Sequence, residues 1–336
     1  TWVDRTNYYE TVPVDQLPLA VAIESDRMRG ARVRDEDLAS ERTVVLNELE
    51  RGENEAAELL LRGAFAHAFL EHPYHHPTIG WRSDVENVSG AVLRRFYDTY
   101  YHPDNATVMV AGELEEARVL EEVELGFGPI PPAPAPPPPV HTREAEQRGE
   151  RRFTIHRAAE LGALVLSWHI PRGLHADLPP LSVLCQVLTE GVTSRLHQRL
   201  VETTRCLAVH AYALELHDPG VLQVYATLAP GVDHAEVEEA IREEMASLAA
   251  APPEAAELAR AKAQVRTDLA FQRESPSRIV AGLTEAVAMG DWRRFLREME
   301  LVEAVDADDL VRVASDHLHD RNLTVGHLVA EGGEPS

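Results

Sequence analysis

Ser89-Gly-Ala-Val-Leu-Arg-Arg-Phe-Tyr-Asp-Thr-Tyr-Tyr-His-Pro-Asp-Asn-Ala-Thr-Val108 and Asp306-Ala-Asp-Asp-Leu-Val-Arg-Val-Ala-Ser-Asp-His-Leu-His-Asp-Arg-Asn-Leu-Thr-Val325 carry one pattern written twice. They align without gaps at a constant offset of 217 residues. Leu93 falls on Leu310, Arg95 on Arg312, His102 on His319, Asn105 on Asn322, Thr107 on Thr324 and Val108 on Val325. Ser89 and Asp306 are both good helix N-caps. Each helix leads through a short polar turn into a β-branched strand, Ala106-Thr-Val-Met-Val-Ala111 in the first copy. Two copies in the same order predict a duplicated α+β fold: two homologous domains, each a largely antiparallel sheet with helices packed on one face.

Between the copies runs Pro129-Ile-Pro-Pro-Ala-Pro-Ala-Pro-Pro-Pro-Pro139. Proline lacks a donor and fixes φ, so this run is neither helix nor central strand and reads as a stiff spacer. A proline-rich recognition ligand is the alternative, less favoured because folded patterns flank the run on both sides. The expected division is 1–128 for the remainder of an N-terminal domain, 129–150 for the linker and 151–331 for its homologue. In the second half, Phe153 to His156 and Ala163 to Trp168 read as strands, and Leu181 to Leu188 as an apolar helix. Val209 to Glu215 and Val221 to Leu228 form a strand pair turning at Asp218-Pro-Gly220. Val237 to Leu248 and Glu254 to Phe271 have helical periodicity.

The 336 residues suit two domains. No run of 18 uncharged apolar residues exists, so no membrane span is expected. The net charge of −24 argues against nucleic acid as a partner. Cytoplasm and periplasm both stay open as compartments. Cys185 and Cys206 are too few for a disulfide framework or a cysteine-rich zinc site and read as packed thiols.

Glu41-Arg-Thr-Val-Val-Leu-Asn-Glu48 is the stretch with chemical content. Seven residues are almost two helical turns, so Glu41 and Glu48 share one helix face. Val44, Val45, Leu46 and Leu49 supply an apolar stripe, predicting that this face is half-buried. Carboxylates placed there are costly unless a cation or donors meet them. The plain alternative is that acids seven apart are common in so acidic a chain. His67-Ala-Phe-Leu-Glu71-His72 is a decoy: histidines five apart lie about 140° round a helix and do not share one ion, and Pro73 ends the helix. His72, His75 and His76 read as solvated turn residues.

Around the acidic helix stand Asp4-Arg-Thr-Asn-Tyr8, Asp26-Arg27-Met28, His72-Pro-Tyr74, Gly80-Trp81, Phe96-Tyr97 and Tyr100-Tyr101-His-Pro-Asp-Asn105. In this order and spacing the chain resembles the insulinase–pitrilysin family of zinc peptidases, from just after their H-x-x-E-H helix onward. The resemblance implies that Glu48 is a zinc ligand and Glu41 a supporting carboxylate that orients it. It implies Zn2+ as cofactor of the full-length protein, with both histidine ligands and the glutamate base roughly 25 to 30 residues upstream of Thr1. It also implies peptide substrates and either a homodimer or a paired family subunit. A lone carboxylate does not hold catalytic zinc, so these 336 residues alone are expected to be inactive. Gly191-Val-Thr-Ser-Arg195-Leu resembles a family segment followed by a substrate-holding arginine and tyrosine. Here those positions are Val201 and Ala208, so no such clamp is expected, and Arg195 is expected to cap or to pair with a neighbouring acid rather than to contact substrate.

Three functions follow: a zinc metalloendopeptidase, a non-catalytic family subunit acting as scaffold or partner, and a two-domain binding protein without metal. Keeping both Glu41 and Glu48 favours the first.

Overall fold

The computed structural model describes residues 1–331. In chain order come α1 (Leu17–Gly30), α2 (Asp35–Asn54), α3 (Ala56–Ala68), α4 (Arg82–Asn87), α5 (Gly90–Tyr100) and α6 (Glu116–Phe127). After the proline run follow β1 (Arg151–Ala158), β2 (Ala163–Ile170), α7 (Leu178–Thr189), β3 (Cys206–Ala213), β4 (Gly220–Leu228), α8 (His234–Ala250) and α9 (Ala255–Gln272). Then come α10 (Pro276–Met289), α11 (Arg293–Ala304), α12 (Ala307–His317) and β5 (Leu323–Glu331). No described helix is long and apolar enough to cross a membrane. The chain divides into two compact units. The first holds Thr1–Arg51, Thr78–His141 and Arg273–Gly282; the second holds Gly52–Pro77, Thr142–Gln272 and the stretch from Leu283 onward.

The second unit is built on a sheet in the order β1-β5-β2-β4-β3. Only β1 and β5 run parallel; β2 pairs antiparallel with both β4 and β5, and β3 with β4. The apolar run of β2 is buried along nearly its whole length, as a central strand covered on both faces must be. Even-numbered residues of β2, from Leu164 to Ile170, join α7, α8 and α12 in the main core through Leu181, Leu184, Ile241, Met245, Leu310 and Val313. Each such side chain contributes about 1.5–3 kcal/mol of burial. α3 packs on the opposite face, where Leu60 and Ala64 meet Ala163, Val165 and Leu328. Strands, turn and helices of this half follow the sequence pattern. At the β3–β4 turn a side chain on Gly220 would collide with the Leu214 carbonyl, so glycine is required for the close approach. Cys185 and Cys206 are free and buried, and burial pushes their thiols up to about 12 and about 11.

The first unit reproduces the repeat down to single hydrogen bonds. The Ser89 hydroxyl accepts from the Val92 amide, and the Asp306 carboxylate from the Asp309 amide, the latter within a reciprocal capping box. Asn105 Nδ2 donates to the Tyr100 carbonyl at 2.9 Å, and Asn322 Nδ2 to the His317 carbonyl at 2.9 Å. His102 and His319 each bury an Nδ1 that has no hydrogen-bond partner.

Two expectations fail in this unit. Residues 106–111 are extended but form no strand. A strand exists by its ladder, and β5, the counterpart, lies between β1 and β2, whereas no described strand pairs with 106–111. The α2 face is covered only in part: Leu49 is buried and Val45 and Leu46 are half-buried, but Val44 is 56% exposed and Glu41 and Glu48, expected on a half-buried face, are exposed.

Candidate functional site

Helix α2 opens on Asp35, Glu36 and Asp37, acids that suit the positive end of the helix dipole. Arg42 anchors it by donating to the carbonyls of Val85 (3.2 Å) and Val88 (2.7 Å), and Glu50 pairs with Arg82 at 3.2 Å. The structure thus keeps Glu41 and Glu48 on one regular helix, as their spacing requires, with both carboxylates directed to the surface. Among the described residues no group of three His, Cys, Asp or Glu side chains could hold a metal ion. The residues present do not by themselves fit zinc, since Glu48 brings a single carboxylate.

The histidines of the decoy are separated. His67 Nδ1 donates to the Gly63 carbonyl at 2.8 Å while its ring stacks on Phe153 at 4.4 Å. His72 is not the solvated turn residue expected from sequence. It is 5% exposed, its Nδ1 accepts from the Tyr74 amide at 3.2 Å, and its Nε2 therefore carries the proton given to Asp218 at 3.2 Å. His75 Nδ1 donates to the His72 carbonyl at 2.9 Å. These bonds tie the 72–75 turn together and engage both ring nitrogens of His72.

One carboxylate in this region has no signature in the sequence. Glu144 Oε2 accepts from the consecutive amides of Leu70 (2.9 Å), Glu71 (2.8 Å) and His72 (3.2 Å), while Oε1 faces Arg151 at 3.2 Å. Burial opposes its charge, yet the three backbone donors and Arg151 hold it below the usual carboxylate range. Its only signal is tertiary, the approach of the 70–72 turn to the end of the linker.

In the Gly191 segment Arg195 pairs with acids as expected: it grips Glu257 through two bonds (2.8 and 2.9 Å) and reaches Glu244 at 3.2 Å. A π-type turn over His197–Val201 follows, and Ala208 lies at an irregularity in the β3–β4 register. Tyr212 donates its hydroxyl to Gln223 Oε1 at 3.0 Å, so it is committed within the sheet. Two other clusters are ionic. Glu238 joins Arg152, Arg242 and His327, and Asp177 joins Arg312 at 2.7 Å and His317 at 2.8 Å. Each fastens a helix of the second unit to a neighbouring segment.

Residues 87–265 match the family model described as the peptidase M16 inactive domain. The zinc protease PqqE of Helicobacter pylori is 26% identical over 333 residues, which is 98% of this chain and 75% of that protein. An uncharacterized zinc protease of Mycobacterium tuberculosis is 29% identical over 337 residues, 99% of this chain and 76% of that one. The crystal structure of a protease from Helicobacter pylori superposes with a TM-score of 0.90 at 24% identity, over 94% of this chain and 77% of that one. A peptidase M16 inactive domain from Pseudomonas fluorescens gives 0.83 at 16%, over 96% and 77%. At such identities the structural likeness speaks for the fold alone. With more than half of its length matched by the family model, the chain belongs to the peptidase M16 family, in keeping with its resemblance to the insulinase type.

Proposed function

We propose that the protein serves a zinc-dependent peptidase, with Glu48 as one carboxylate of a metal site completed by donors outside the described residues and Glu41 as the carboxylate that orients it. The observation carrying this reading is that two acids on one helix face stand exposed without any described polar partner, on a helix otherwise anchored by Arg42 and Glu50. The relatives named zinc proteases support it. Peptides are the substrates, and the described residues alone are not competent. The 336-residue chain alone is expected to leave a quenched fluorescent peptide intact, whereas a form in which the missing donors are supplied should cleave it and a chelator should stop the cleavage. In that form Glu41→Gln should lower metal affinity about 10–100-fold and Glu48→Gln should lower it further.

A second reading has its own support. The match to an inactive domain and the lack of a three-donor cluster among the described residues suit a non-catalytic subunit that supports an active one. In that case Glu48→Gln leaves the hydrolysis of the complex unchanged, and the chain co-purifies with a peptidase subunit.

A further inference from the structure

We infer that the 70–72 turn and Arg151 form a binding site for a peptide carboxylate, and that residues 141–148 are a tethered strap whose Glu144 occupies this site until a free carboxylate displaces it. The site owes nothing to Glu48.

The amides of Leu70, Glu71 and His72 converge on Glu144 Oε2 at 2.9, 2.8 and 3.2 Å, and Arg151 gives Nη1 and Nη2 to Oε1 at 3.2 and 3.3 Å. Successive N–H groups curled round one oxygen are a backbone nest, a form suited to capturing a peptide carboxylate. Arg151 is itself held in place. Its Nη1 also donates to the carbonyls of His67 (3.0 Å) and Ala68 at the end of α3, and His169 Nε2 donates to the Ala68 carbonyl at 2.9 Å. The cradle is thus built by the end of α3 and the start of β1, not by the strap. At a net charge of −24 the chain as a whole repels anions, so a carboxylate is held here by these donors alone.

The strap's own attachment is slight. Among the described residues, 141–148 make no backbone–backbone hydrogen bond. Only Glu144, with a side chain 10% exposed, and Gln147 are covered. They stand three apart, one turn of the polyproline conformation that the proline run upstream favours. Gln147 donates to the carbonyls of Gly149 (2.9 Å) and Leu323 (2.7 Å), but its Oε1 is buried without a hydrogen-bond partner. A segment with no ladder and a half-satisfied anchor opens at low free energy. Leu70 is 61% exposed, so the nest meets solvent once Glu144 leaves. Its amides and Arg151 then lack their acceptor, and an incoming carboxylate replaces it.

Amide shifts of Leu70, Glu71 and His72, followed by NMR at neutral pH in the isotope-labelled 336-residue chain, test this. The probes are acetate, acetyl-dialanine with a free C-terminus, its C-terminal amide, and an amidated peptide whose sole carboxylate is a glutamate side chain. In Glu144→Ala, acetate and at least one of the two carboxylate peptides are expected to move the three amides saturably. The wild-type chain should follow the same course about 10-fold more weakly, because a tethered rival must be displaced. Response to the free acid alone makes chain ends the ligand, and response to the glutamate peptide alone makes acidic side chains the ligand; either supports the site. Where Glu144→Ala does not fold, Glu144→Gln keeps the volume, removes the charge and serves the same titration. No saturable shift in either variant overturns the site, as does equal binding of the dialanine amide, which has no carboxylate. Equal affinity in the wild-type chain and the variant overturns the strap.

Discussion

Phe153 and two glycines determine one another. The ring lies over Gly63 of α3 and Gly326 of β5, and a methyl group at either glycine would sit inside van der Waals contact with it. Gly326→Ala should cost about 1–3 kcal/mol in urea unfolding through overpacking, and Phe153→Leu in the same chain should recover part of the loss. Additive losses in the double variant would show that the ring is not the obstacle. Glu238 is one carboxylate whose charge ties stability to pH. Burial works against its carboxylate, but His327, Arg152 and Arg242 lower its pKa from 4.5 to about 2. A depressed carboxylate contributes stability that is whole above its unfolded value and is lost as pH falls through its folded value. Unfolding free energy should therefore decline between about pH 4.5 and 2. Glu238→Gln should flatten that decline and lower stability at neutral pH, as denaturant titrations at several pH values would show.

Helices with their own caps and strands with their own alternation were legible from the chain. α5, α12, β4 and the turn into it needed only local residues, and the pairing of Arg195 with acids followed from its surroundings in an acidic protein. What depended on a distant partner was not legible. The Ala106 to Ala111 run has the composition of a strand, but composition does not supply a neighbour to pair with. The stripe of α2 is covered at Leu49 and in part at Val45 and Leu46, but its pattern did not show that Glu41 and Glu48 stay exposed, and Glu144 took its role from a turn more than seventy residues away. His72 looked like a surface residue because its burial comes from tertiary packing. For the candidate site, the sequence placed Glu41 and Glu48 on one face correctly, but their surroundings were beyond its reach. The caps offer a direct comparison of strength. Asp306 holds a reciprocal box, whereas Ser89 accepts one long bond of 3.4 Å. Asp306→Ala should cost about 1 kcal/mol, and Ser89→Ala less, by thermal or urea unfolding. Equal losses would mean that the reciprocal bond contributes nothing.

The two units are unequal in what holds them. The second has one continuous core spanning the sheet and five helices, with Trp168, Leu164, Leu184 and Leu310 at or below 1% exposure. In the first, Tyr8, Tyr9, Leu19, Val44, Phe96, Leu120 and Leu125 are each more than 40% exposed, and full burial is confined to a few positions such as Leu17, Val21, Leu49 and Tyr97. Buried apolar area is the main term resisting conformational entropy, so the free energy of opening differs between the units. Amides of α1, α2 and α5 should exchange at lower denaturant than those of β2, β4 and β5, and the transitions should not coincide. A single transition reported alike by the exchange of both sets and by the fluorescence of buried Trp168 would overturn this ranking of the two units.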